Sequence, residues 1–256
     1  MEMDDSKPIS MEEARTQALT VMSEKLAGPN WLIERAQNTI AQILQLHGAQ
    51  YNISGPKEIA FNLLVRLWNE LAAVALLCQH GYSLQAFAPA SVIYEAGWML
   101  AAIGNDEEAA KRWFEHDIES ASYEKVLKMT EAGLRNLAGD EGVKQKDRQY
   151  GWYRELCMAK HVNPKVQKYE GFEVDAKTRT TTFSYGPEVT NEAIKKAWWV
   201  MPCAVRFTYP ALYTFANNHL GESEKKKALE LITALENEQD KLENEIHEEL
   251  KAAGML

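Results

Sequence analysis

The chain has 256 residues, with 28 Lys and Arg against 37 Asp and Glu and a formal charge of −9. An apolar share of 46% and a charged share of 25% are those of an ordinary globular chain, which excludes disordered and fibrous classes. The acidic balance argues against nonspecific DNA binding, because phosphate backbones are gripped by Lys and Arg that displace counterions.

In chain order, Ser10-Met11-Glu12-Glu13 has the spacing of a capping box, and Ala14, Ala18, Met22 and Leu26 then recur at helical intervals up to Gly28. A second helix opens at Asn30, buries Ile33, Ala36, Ile40, Ile43 and Leu44, and closes at His47-Gly48. Ser54-Gly55-Pro56 starts a third, with Pro in the first turn, where its missing N–H does no harm. This helix is apolar nearly all round to about Gln79, so it belongs at the centre of a bundle. His80-Gly81 turns the chain into a fourth helix that ends at Gly104-Asn105, with its start or a kink at Pro89.

Asp106 caps a fifth helix expected to reach Leu137, before a break at Gly139-Asp140, and a sixth covers about Val143 to Lys160. Residues 165–186 change character: Phe172-Glu173-Val174 and Thr180-Thr181-Thr182-Phe183 read as a small β-hairpin inserted between helices. Pro187 opens a seventh helix rich in Trp, Tyr and Phe, which Pro202 and Pro210 should kink or split. The last helix, within 221–253, carries a narrow stripe of Ala228, Leu231, Leu235, Leu242, Ile246 and Leu250 on an otherwise charged surface. The expected fold is therefore all-α, a single domain over 1–256: a bundle of about seven or eight helices with a small β-hairpin near 170–185.

Ile59 to Cys78 is apolar enough to suggest a membrane span, but Asn62, Arg66, Asn69 and Glu70 lie near its middle. A charge at a bilayer centre costs roughly 2.5–3.5 kcal/mol even on a lenient scale, so a buried helix is expected and no membrane partner. Cys78, Cys157 and Cys203 are far apart and lie among apolar neighbours, which fits reduced thiols in the cytoplasm. The first ten residues lack the basic-then-apolar pattern of a signal peptide.

Charged residues inside apolar helices are the sharpest functional signal. Arg66 lies 15 residues before Gly81 and Glu95 14 after it, so on antiparallel neighbours the two stand at one height. Glu70 is one turn from Arg66. A buried cluster of Arg66 with Glu70, Glu95 or both is predicted, because an unpaired buried charge costs several kcal/mol. It would either fix helix register by neutralising charge or form a ligand pocket lined also by Tyr94 or Trp98. No Glu-x-x-His or His-x-x-x-His spacing exists, so no metal is expected, nor any other cofactor. A second set, Arg154 and His161, lies seven residues apart on one helix face and could act on a phosphodiester, with Arg stabilising charge and His moving the proton. Bulky apolar residues of the seventh and last helices exceed what one core absorbs, which argues for a homodimer.

Val92-Ile93-Tyr94-Glu95-Ala96, then Gly104-Asn105-Asp106-Glu107-Glu108-Ala109-Ala110-Lys111-Arg112-Trp113-Phe114, then Tyr153-Arg154-Glu155-Leu156-Cys157-Met158-Ala159-Lys160-His161 resemble a broad group of uncharacterised bacterial all-helical proteins. The likeness spans about Phe61 to Asn163, and some members are similar to helical defence proteins, including HEPN-type ribonucleases. Those carry Arg, four to six residues, then His; Arg154 and His161 have six between them, and Arg112 and His116 have three. The resemblance implies an all-α fold and RNA as a partner class. The residues themselves favour a binding or regulatory homo-oligomer without evident catalytic machinery, with a small ligand or RNA as the alternatives.

Overall fold

The computed structural model describes residues 10–48, 53–115, 123–160, 172–175, 179–183 and 186–252. Ten helical segments are seen among them: α1 (Met11–Lys25), α2 (Ala27–Leu46), α3 (Pro56–Gln79), α4 (Phe87–Ile103), α5 (Glu107–Phe114), α6 (Tyr123–Val143), α7 (Lys146–Lys160), α8 (Asn191–Arg206), α9 (Tyr209–His219) and α10 (Glu222–Ala252). Phe172–Asp175 (β1) and Thr180–Phe183 (β2) pair antiparallel, with Phe172 opposite Phe183 and Asp175 opposite Thr180. The fold is a helical bundle.

Local chemistry sets most boundaries. Ser10 Oγ accepts from Glu13 N–H while Glu13 Oε2 accepts from Ser10 N–H, closing the capping box at α1. Asp106 Oδ1 accepts from the amides of Glu108 and Ala109 and starts α5. Gly104 at φ +55 stops α4, a conformation that a side chain would strain. Gly139 at φ +63, with Ala138 beside it, breaks α6 where the sequence placed a break. Other boundaries differ from expectation. The fifth helix ends at Phe114, with Glu115 as its C-cap; the next begins at Tyr123, and residues 116–122 fall outside the described part. The seventh helix starts at Asn191, where Thr190 Oγ1 caps Ala193 N–H, four residues after Pro187. As expected, it divides near Pro210, at Phe207–Thr208, with Pro210 taking a first-turn place in α9.

α4 is the hub, packed on α3, α6, α7, α8 and α9. It can be approached closely because Gly97 has no side chain: a Cβ there would collide with the carbonyl of Phe207 at the α8–α9 junction. Gly133 does the same for α6, where a Cβ would lie 2.8 Å from Trp98 Cε3 and 2.9 Å from Ala101 Cβ. α10 lies across α2, α8 and α9 and is held by a two-pronged bond from Arg35 Nε and Nη2 to the Glu238 carboxylate, 2.8 and 3.1 Å. One contiguous core runs from Met22 through Leu67, Tyr94, Val200 and Phe215 to Leu235.

The core absorbs more than expected. Met201, Phe207, Tyr209 and Phe215 are buried, and Ala228, Ile232 and Leu235 of α10 are fully enclosed. Trp198, Trp199, Tyr213, Leu231 and Leu242 of the same helices are only partly buried. Among the described residues one helix, α3, is long and apolar enough to cross a membrane by length and composition; Leu63, Leu64, Leu67, Leu71 and Val74 on its inner face are packed in the bundle.

Candidate functional site

The predicted Arg66 cluster is not buried. Arg66 Nε stands 3.6 Å from Glu70 Oε1 and its side chain is 57% exposed, so the pair is a solvated (i, i+4) contact rather than a core device. Glu95 is not joined to it: its Oε1 accepts a 2.8 Å hydrogen bond from the hydroxyl of Tyr153 on α7. Equal height along two helices does not fix which way each side chain points. α3 turns Leu63, Leu67, Leu71 and Val74 to α4, which leaves Arg66 and Glu70 toward solvent, while α4 directs Glu95 to the side covered by α6 and α7.

What the structure assembles around position 95 is an aromatic and polar layer. The rings of Tyr94 and Tyr153 stack at 4.9 Å and 23°. Phe207 meets Tyr94 edge-on at 5.0 Å. Thr130 donates to the carbonyl of Val126, which commits its only hydrogen; the 2.9 Å contact with Tyr94 is therefore a bond that the tyrosine donates. Burial raises the Tyr94 and Tyr153 phenols above their ordinary range; for Tyr153, hydrogen bonds with Cys157 and Glu95 add to it. Both remain neutral donors at any physiological pH. Neither is poised as an acid or base.

Glu95 also lies at the edge of a groove between α4, α5 and α6, with a volume of about 370 Å³. Its floor is apolar: Met99 and Ile103 from α4, Trp113 from α5, Val126 and Met129 from α6. Arg112 and Lys125 bring two positive charges to its walls. Two methionines and a tryptophan give a surface that adapts to a ligand's shape, since thioether chains repack at little cost. The dimensions fall in the range of small-molecule sites.

Arg154 is exposed on α7, and its intended partner His161 lies outside the described residues, as does His116. Cys157 is buried beneath Tyr153. No cluster of His, Cys, Asp and Glu able to hold a metal is found among the described residues. Comparison with protein-family models, curated proteins and solved structures finds no match. Function must therefore be argued from the groove.

Sequence reasoning named Tyr94 and Glu95 but missed Tyr153 as the group that orients the carboxylate. The signal was present: Tyr153 and Cys157 are one turn apart on a helix whose apolar residues had to face the core. The groove residues Met99, Trp113 and Met129 come from three helices, and no sequence spacing brings them together.

Proposed function

We propose that the protein is a helical ligand-binding module whose site is the groove at Glu95. The ligand class is an amphipathic small molecule: an apolar body on Met99, Trp113 and Met129, an anionic group beside Arg112 and Lys125, and a donor or amine at Glu95. One observation carries this reading: an apolar floor ends at a carboxylate held by Tyr153, with two cations on the walls. A core would have no use for that arrangement.

The test uses an anilinonaphthalene sulfonate, a fluorescent apolar anion, as probe. Wild type should bind it saturably, one per chain. Met129→Trp should fill the groove and abolish binding, while Arg112→Ala should weaken it about tenfold, ~1.4 kcal/mol. Tyr153→Phe should cost ~1–2 kcal/mol of stability by removing one hydrogen bond to a half-buried carboxylate, with wild-type helicity retained. Equal probe binding by wild type and Met129→Trp would dispose of the site.

A second reading, self-association, is supported by the outer face of α3. Asn62, Val65, Asn69, Ala72 and Leu76 recur at alternating three- and four-residue steps, with Val65 50% and Leu76 57% exposed. This is a helix–helix seam with Asn at equivalent positions, a device that specifies register.

A further inference from the structure

The walls of the Glu95 groove differ in firmness. Met99 stands on α4 and Met129 on α6, and both helices are anchored in the core, by Ile93 and Leu100 and by Thr130 and Leu134. The third wall, α5, brings Ala109, Arg112 and Trp113, yet Ala110 is its one buried residue. Glu107, Glu108 and Lys111 are exposed, and Phe114, edge-on to the Trp113 ring at 5.4 Å, is 51% exposed. Among the described residues α5 packs chiefly on α3. Few buried apolar contacts mean a small free energy of local opening, so α5 is the wall that yields first.

The two attachments of this wall are unlike. Toward α4 the chain is fixed: Asn136 Nδ2 donates to the carbonyls of Ala101 and Ala102 at 2.9 and 3.1 Å, and the Asn136 and Asn218 side chains lie against Gly104. From Gly104, at φ +55, the chain leaves through the exposed Asn105 and Asp106. Element-terminal positions of this kind absorb the dihedral changes of a hinge. Toward α3 a carboxylate holds α5. Glu107 lies over Gly55, its Oε2 2.6 Å and its Oε1 3.2 Å from where a Cβ on that glycine would stand. Gly55 is the N-cap of α3 and offers no side-chain cap, so the Glu107 charge sits at the positive end of that helix. Ala109, Arg112 and Trp113 share one face of α5 and line the groove; Glu107 does not.

We infer, on the reading that the groove binds a ligand, that α5 is a hinged lid, turning about residues 104–106 and latched by Glu107 on the N-terminus of α3. A ligand that touches Arg112 and Trp113 makes those contacts only with α5 in place, so it favours the closed form. Entry and departure both require α5 to swing out. A looser latch therefore speeds both steps and leaves Kd unchanged, because the closed form still predominates with and without ligand. Loss of a direct contact would raise the departure rate alone.

The experiment follows the anilinonaphthalene sulfonate probe by stopped-flow fluorescence and the amides by hydrogen exchange. Glu107→Ala should raise the association and dissociation rate constants together, about threefold, at constant Kd. Glu108→Ala, which removes the same charge from the same turn without touching the latch, should keep wild-type rates. In wild type, residues 107–114 should exchange faster than 93–101 of α4 and 125–134 of α6. Glu107→Ala should speed exchange in 107–114 alone, and saturating probe should slow it there. Wild-type rates in Glu107→Ala, a rise in dissociation alone, or α5 exchange unmoved by bound probe would each overturn the lid and leave the groove standing as a site. A wild type that does not bind the probe would remove the groove itself, and the lid with it.

Discussion

At the scale of single residues, two buried histidines make stability depend on pH. His47 and His219 are 9% and 8% exposed and flank Phe215, at ring separations of 6.4 and 5.5 Å. The Nε2 of each is buried without a partner. Burial, then the positive charge of Lys57 and the proximity of His47, lowers His219 to about 4, while its backbone contact at Gly104 acts in the opposite direction. His47 is lowered as well, by burial first and then by Lys57. Between about pH 6.5 and 4 the unfolded chain therefore takes up a proton that folded His219 refuses, so stability falls as pH drops through that window and is unaffected above it. The loss should be on the order of 2–3 kcal/mol. Urea unfolding at pH 7 and pH 4.5 should show it, and His219→Leu should flatten the difference relative to wild type; parallel curves for the two proteins would refute the assignment. Sequence alone placed His47 correctly at a helix end, its C-cap position, but could not see the ring it shares with Phe61 and Phe215, because those contacts join α2, α3 and α9.

Among the helices, glycines of the same sequence type have opposite roles. Gly97 in α4 lets the Phe207 carbonyl approach, and a methyl group there meets backbone that cannot rotate away. Gly97→Ala should destabilise by ~1–3 kcal/mol. Gly151 in α7 has open space around its Cβ position, so Gly151→Ala should gain ~0.5–1 kcal/mol from the entropy of the unfolded chain. Thermal unfolding of the two variants should move in opposite directions. Existence of the helices was legible, because caps such as Ser10 and Asp106 and stops such as Gly104 act locally. The azimuth of each helix was not. Arg66 and Glu95 were placed at one height, yet a helix packed on five neighbours turns its charged residue to whichever neighbour offers a donor, here Tyr153.

At the scale of the whole molecule, the exposed outer face of α3 is where self-association is to be tested. If two copies pair there, light scattering at micromolar concentration should give twice the 29.0 kDa chain mass. Val65→Glu with Leu76→Glu should return the mass to that of one chain without loss of helicity. A single-chain mass for wild type would remove the homodimer. The bundle itself could be anticipated from helical spacing and the apolar third and fourth helices, but its closure could not, since that depends on bonds such as Arg35 to Glu238.

Those two residues are 203 positions apart in the chain. A ribosome adding roughly 5–20 residues per second needs about 10–40 s to travel from one to the other. During that interval α2 has been made while the helix that covers one of its flanks does not yet exist. Cotranslational folding of this chain therefore proceeds with that flank of α2 open until the segment that carries Glu238 has been made.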